Sequence, residues 1–266
     1  WTLTLVMSIP LALAASPQKE AAEIHELLTA WQTVEARAKL GLMLKKDARE
    51  EHYRFAKARL QYFEGSYGDA LSTLDALAGD MKGKMPESFQ KFRHQVEDTH
   101  ATLKSFDEYQ SPDGRFLIRY TGRDKVLIPY LMEVLEATDG ALSKDFDYSP
   151  KGRVLVEIYP EISYLAKVSP LSETDIETSG TIALCKYNRL MFTSPRALVR
   201  GYGWRDTVAH EFVHYYVTKL SRNTVPIWLH EGIAKFQETR WREAPGHRLD
   251  PPEEDMLARN LKLNKL

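Results

Sequence analysis

Residues 210–214 read His210-Glu211-Phe212-Val213-His214, an H-E-x-x-H string. On a helix, positions i and i+4 share one face about one turn apart. Both imidazoles then aim at one point, where a zinc ion takes a ring nitrogen from each at roughly 2.0–2.1 Å. Glu211 falls about 100° round the helix from His210. It flanks such a metal rather than binding it, the position of a base that takes a proton from water held there. The segment reads as helical. Residues 207–220 contain no Gly or Pro, and Val208, Phe212, Val213, Tyr216, Val217 and Leu220 recur at helical spacing. Asp206, just upstream, favours a helix amino end.

Two histidines on a solvated helix are the plain alternative, so a third ligand decides. A catalytic zinc takes three protein ligands and keeps one position open. The metzincin pattern needs a His six residues after His214 and a Gly three after; Leu220 and Val217 stand there. Further on comes Trp228-Leu229-His230-Glu231-Gly232-Ile233-Ala234, with Glu231 17 residues after His214. Ser221-Arg222-Asn223 reads as a turn, and Pro226 suits the first turn of a new helix. Two helices joined by a short polar connection pack antiparallel, so Glu231 can bring a carboxylate to the same metal. Gly232 would let the two backbones come close. His230 points about 100° away from Glu231 and reads as a neighbour of the site or as surface. Trp228 and Phe236 read as core.

H-E-F-V-H followed by P-I-W-L-H-E-G-I-A resembles the gluzincin metallopeptidases. More narrowly, it resembles the peptidase MA-like domains of bacterial exported proteins, which often occur beside tetratricopeptide repeats. The resemblance covers roughly residues 111–241. Position by position, it implies His210, His214 and Glu231 as ligands of one Zn2+, Glu211 as the catalytic glutamate, and a peptide or protein as substrate. Thermolysin-like gluzincins have an acid four residues after the third ligand; here that residue is Lys235, with Glu238 one turn further on. The partners of the ligating histidines therefore stay open. Families of this clan add a Tyr or His after the third ligand to steady the oxyanion. No Tyr follows Glu231 and His247 is the one His there, so that group is expected beyond the end of the sequence. Tyr215 and Tyr216 read as helix-packing residues.

The chain has 266 residues, 43% apolar and 27% charged, with a net charge of −1. That suits one or two globular domains. Acids and bases are mixed throughout, which excludes a nucleic-acid surface or a polybasic membrane patch. Residues 1–15 carry no charge, are too short to span a bilayer, and end in Ala12-Leu13-Ala14. They read as the remnant of a secretory signal peptide, a buried helix being the alternative that Pro10 opposes. The expectation is an exported chain, periplasmic or extracellular, with no integral membrane span. Cys185, the single cysteine, lies in an apolar strand-like run and reads as a buried, inert thiol.

Residues 16–110 read as helical. Ile24, Leu27, Leu28, Trp31 and Ala38 make one stripe; Phe89, Phe92, Val96, Leu103 and Phe106 make another. Arg54 to Ala78 resembles one tetratricopeptide repeat, with Ala58 as the small residue, Gly65-Ser66-Tyr67 as the turn, and Ala70, Leu74 and Leu77 as packing positions. A generic helical hairpin is the alternative. Such regions offer surface to a partner protein. Ser111-Pro112-Asp113-Gly114 marks a boundary. In 111–266, Arg115–Tyr120 and Arg153–Tyr159 read as strands and Leu127–Leu142 as a helix. Thr181–Cys185 and Leu190–Thr193 read as paired strands joined by Lys186-Tyr187-Asn188-Arg189. The expected fold is α+β: a tetratricopeptide-like front region, then a zincin-like domain with a small mixed sheet, truncated at its C-terminal end. A peptide would add to an exposed strand, with Gly180–Leu184 or Leu190–Thr193 as the candidate edge. Two other functions fit the same residues. One is an interaction scaffold with a vestigial or structural zinc site, which the intact Glu211 argues against. The other is a hydrolase of the same fold acting on a non-protein amide.

Overall fold

A computed structural model describes residues 16–242 and 251–263. The expected signal remnant and His247 lie outside these residues. The chain starts with α1 (Pro17–Thr29), where Ser16 accepts from the Lys19 N–H and Pro17 needs no hydrogen-bond partner. α2 (Thr33–Lys46) follows. The stripe read across 24–38 is thus two helices. Trp31 takes a positive φ of 54° and reverses the chain, which buries its own ring and leaves Ala38 exposed.

α3 (Glu51–Phe63) and α4 (Tyr67–Asp80) form a hairpin with Ala58, Ala70, Leu74 and Leu77 buried in it. Gly65 turns the chain at φ +80°, and a Cβ there would sit 2.8 Å from Leu155 Cδ1. The positive φ favours glycine, and a side chain there would also have to push the Leu155 methyl aside. α5 (Glu87–Leu103) ends the helical run. The helical reading to about residue 110 is corrected here: Asp107–Gln110 is strand β1. Its four residues are polar and mostly exposed, so no apolar alternation announces it.

Next come β2 (Phe116–Tyr120), a 3-10 turn (Gly122–Leu127), α6 (Ile128–Asp145) and β3 (Val154–Tyr159). Short α7 (Ser163–Val168) and α8 (Glu173–Ser179) lead to β4 (Ala183–Lys186) and β5 (Arg189–Thr193). α9 (Trp204–Ser221), α10 (Ile227–Gln237) and α11 (Pro251–Lys262) complete the order. The strands form one five-stranded sheet in the order β1-β2-β3-β5-β4. β2, β3 and β5 run parallel, while β1 and β4 close the edges antiparallel. The fold is α+β with a mixed sheet, as expected. β5 is interior, so Leu190–Thr193 is not an edge; β4 is. Tyr187 and Asn188 both have positive φ (54° and 64°), the two-residue turn that suits a twisted hairpin. The Asn188 amide donates to the Phe63 carbonyl at 3.0 Å, tying this hairpin to the end of α3.

Alternation along the strands sorts the two faces. Phe116 meets Phe212 of α9, and Phe192 stacks on Trp204. On the opposite face Leu155 lies by Gly65 and Glu157 meets Tyr67 of α4, while Tyr159 packs on Phe106 and Tyr164. There Glu157, 1% exposed, pairs with fully buried Arg189 at 3.2 Å and accepts from the hydroxyls of Tyr67 and Tyr159. The front helices also reach α9: the Trp31 and Tyr215 rings lie 5.9 Å apart, and Lys219 donates to the Trp31 carbonyl at 3.0 Å. α9 is thus buried nearly all round, with Val208, Phe212, Tyr215 and Tyr216 in the core. Each such burial is worth about 1.5–3 kcal/mol. Leu220, read as part of that surface, is 45% exposed because it lies on the last turn, past the sheet. No helix among the described residues is long and apolar enough to cross a membrane.

Candidate metal centre

Arg222 and Asn223, both left-handed (φ 53° and 61°), end α9 and send the chain back as α10. That return brings Glu231 over the exposed turn of α9. His210 Nε2 lies 3.1 Å from His214 Nε2, and Glu231 Oε2 lies 3.3 Å and 3.5 Å from them. Four atoms bound tetrahedrally at roughly 2.0–2.1 Å sit about 3.3 Å from one another. The three donor atoms already have that spacing. With no proton between them, two imidazole nitrogens and a carboxylate oxygen would repel at such distances, and a divalent cation would hold them together. Among the described residues, the group that could hold a metal has these three members.

The far side of each ring is held as well. His210 donates from Nδ1 to Glu238 at 3.1 Å, and Lys235 donates to the other Glu238 oxygen at 2.7 Å. A carboxylate only accepts, so the Glu238 contact favours a proton on Nδ1, the tautomer that would present Nε2 to a metal. His214 Nδ1 lies 2.6 Å from His230 Nδ1, and His230 Nε2 lies 3.2 Å from the Thr218 hydroxyl. With His214 protonated on Nδ1 and His230 on Nε2, every contact in this row has one donor and one acceptor. His230 is therefore a neighbour of the site, one of its two expected places.

Burial, then the nearby His210 and His230, lower the His214 pKa to about 3, so its ring is neutral at pH 7. Burial also pulls on His210, but the Glu238 hydrogen bond and the charges of Glu211, Glu238 and Glu231 outweigh it and raise its pKa. For Glu238 burial is likewise outweighed, by hydrogen bonds from His210 and Lys235, and its pKa falls. Glu211 faces the other way, towards β4, and is 9% exposed. Burial pushes its pKa up to about 7, with Glu231 adding and with His210 and the Cys185 N–H opposing.

A cleft of about 930 Å³ runs past these groups. It is lined by β4, by α9 and α10, and across from them by Trp31, of the α1–α2 turn, and Arg59 and Phe63 of α3. Thr193 donates to the Ile182 carbonyl at 2.8 Å, and Ala183 stands opposite Phe192. The antiparallel ladder alternates, so the N–H and C=O groups of Ala183 and Cys185 turn away from β5 to the open edge. The Cys185 N–H meets Glu211 there. Cys185 itself is half-buried, with its thiol pKa raised well above the ordinary value by burial.

His210, His214, Glu211 and Glu231 are all brought together. Three readings of α10 are corrected. A Cβ on Gly232 would meet nothing within 4 Å, so no close backbone approach depends on it. Trp228 and Phe236 are 74% and 51% exposed, not core. α10 buries only Ala234 and Gln237, because His230 and Glu231, not its large apolar residues, face α9. Glu238 was legible in principle: seven residues past Glu231 is about two turns, nearly the same face. The contribution of the front helices to the cleft had no local signal. No protein-family model matches the chain, and no curated protein or solved structure does either.

Proposed function

We propose that the chain is a zinc-dependent peptidase of the gluzincin type, with a zincin-like catalytic part behind a tetratricopeptide-like front part. The observation that carries this reading is the 3.1–3.5 Å triangle of His210, His214 and Glu231 with Glu211 buried beside it. His210 and His214 would hold zinc through Nε2, and Glu231 would add one oxygen and a negative charge. When bound, zinc supplies a Lewis acid that polarises a carbonyl and makes water nucleophilic near neutral pH. Glu211 takes the proton of the attacking water and passes it to the leaving amine. The open edge of β4 holds an extended peptide through Ala183 and the Cys185 carbonyl. Export rests on residues 1–15, whose sequence has the apolar run and small-residue end of a signal peptide. The buried small residues Ala58 and Ala70 favour the repeat-like reading of α3 and α4.

The scaffold alternative has less behind it. A structural zinc takes four protein ligands, and the group here has three among the described residues. The test is metal analysis beside activity. Wild-type protein should hold one zinc and cleave casein in a chelator-sensitive way. His210→Ala should lose both, and Glu211→Gln should keep zinc while losing cleavage. Full activity in Glu211→Gln ends the proposal. Cleavage of a non-protein amide but not of casein favours the other hydrolase.

A further inference from the structure

The acids and the cations of the cleft are unevenly matched. Each acid lining it is accounted for: Asp206 pairs with Trp241 and Arg242, Glu238 with His210 and Lys235, Glu231 stands with the two imidazoles at the candidate metal position, and Glu211 accepts from the Cys185 N–H. Two lining cations have no partner among the described residues. Arg59, on α3, is half-buried, with its guanidinium carbon 6.0 Å from the centre of the Phe63 ring. Burial lowers its pKa, opposed by Tyr187 and by no carboxylate. Arginine nonetheless stays charged at neutral pH. Lys186, the last residue of β4, is exposed in the same cleft without an ion pair.

Other arginines of this interior are answered. Arg115 meets Asp139 at 2.8 Å, Arg119 meets Glu108 at 2.8 Å, and Arg189 meets Glu157 at 3.2 Å. A partly desolvated guanidinium without a partner costs folding free energy. On a cleft wall that cost is recovered when an anion arrives, and a planar fork binds a carboxylate bidentately. Position adds to this. Arg59 lies by Phe63 and Tyr187, at the hairpin end of β4, beyond the Cys185 N–H that meets Glu211. A peptide laid antiparallel on β4 turns the residues on the amino side of the cut bond towards that end. A peptide laid parallel turns its carboxyl end there.

We propose that Arg59, with Lys186 at the hairpin end of β4, binds a carboxylate of the substrate and makes the cleft selective for peptides that carry an acidic group on one side of the cut bond. The proposal rests on the peptidase reading. Its test separates the two by measuring binding apart from cleavage. The probes are three fluorescein-labelled alanine octapeptides: one with a central glutamate and an amidated end, one with glutamine and an amidated end, and one with glutamine and a free end. Binding to zinc-loaded Glu211→Gln protein is read by fluorescence polarisation. The expected result is roughly tenfold tighter binding of a peptide bearing the extra carboxylate, as for hydrogen bonds to a charged group. Whether the side chain or the free end gives that gain identifies the source. Adding Arg59→Gln should abolish the gain, Arg59→Lys should keep part of it, and Lys186→Gln should reduce it. Circular dichroism checks folding; if Arg59→Gln does not fold, the Arg59→Lys and Lys186→Gln pair decides. Equal binding of all three peptides, or a gain untouched by these substitutions, overturns the proposal. Failure of the wild type to cut casein or any octapeptide sinks the peptidase reading and leaves the binding result to stand by itself.

Discussion

The carboxylate of Glu238 lies 3.1 Å from Nδ1 of His210, two helical turns past Glu231 rather than one. Lys235 occupies the nearer position and holds Glu238 from its other side at 2.7 Å. A carboxylate behind a ligating imidazole fixes the tautomer and raises the basicity of the outer nitrogen. Glu238→Ala should therefore weaken zinc binding by about 10–100-fold, read by competition with a chromophoric chelator. Lys235→Ala should have a smaller effect in the same direction. Unchanged affinity in Glu238→Ala would show that the contact does not support the metal.

The pair of Glu157 and Arg189 joins the sheet to the front helices through Tyr67. Removing one member strands a buried charge, which typically costs about 3–5 kcal/mol. Arg189→Met and Glu157→Gln should each lower the urea midpoint sharply. The double variant should lose less than the sum of the two, and strict additivity would show that the charges are not coupled.

His25 sets an acid limit on stability. Burial, with the charges of Arg59 and His52 adding, lowers its pKa to about 4, and its Nδ1 is buried without a partner. In the unfolded chain the ring takes its proton near the ordinary value of about 6.5. Between those values the unfolded state binds more protons, so stability falls as pH drops from about 6.5 towards about 4. At about 1.4 kcal/mol per unit the full effect is on the order of 3–4 kcal/mol before solvent screening of a partly exposed ring reduces it. His25→Phe, packed on Phe55, should flatten this limb when urea midpoints at pH 7 and pH 5 are compared. An unchanged slope would assign the acid limb to other groups.

Buried and exposed faces of α9 and α10 should differ in what they contribute to folding. Phe212 is fully buried, and Phe212→Ala should cost about 3–5 kcal/mol. Trp228 is 74% exposed, and Trp228→Gln should change stability by no more than about 0.5 kcal/mol. A large loss in Trp228→Gln would mean that α10 buries its apolar side after all.

The histidines and Glu231 are legible in sequence because their convergence follows from short-range geometry: one helical turn, a polar connection and a returning helix. β2, β3 and the β4–β5 hairpin are legible as apolar runs bounded by turn residues. β1 is not, since Asp107-Glu108-Tyr109-Gln110 joins an edge by backbone pairing alone. The parallel order of β2, β3 and β5 depends on contacts remote along the chain and leaves no local period. Trp228 and Phe236 mislead for a related reason: an apolar residue in a helical pattern reads as inward, but α10 turns His230 and Glu231 to α9. Arg59 belongs to the cleft only because α3 lies against the β4–β5 hairpin, which no pattern within either element discloses.

The hydrogen bond from Asn188 to the Phe63 carbonyl spans 125 positions of sequence. The strand lining the cleft is therefore anchored to a helix that contributes no candidate metal ligand. Transplanting residues 111–242 behind a different set of helices would keep all three candidate ligands yet release the hairpin, and with it the register of that strand. The two halves of this chain are in that sense not modular: drift in the sequence of one has to be answered by drift in the other.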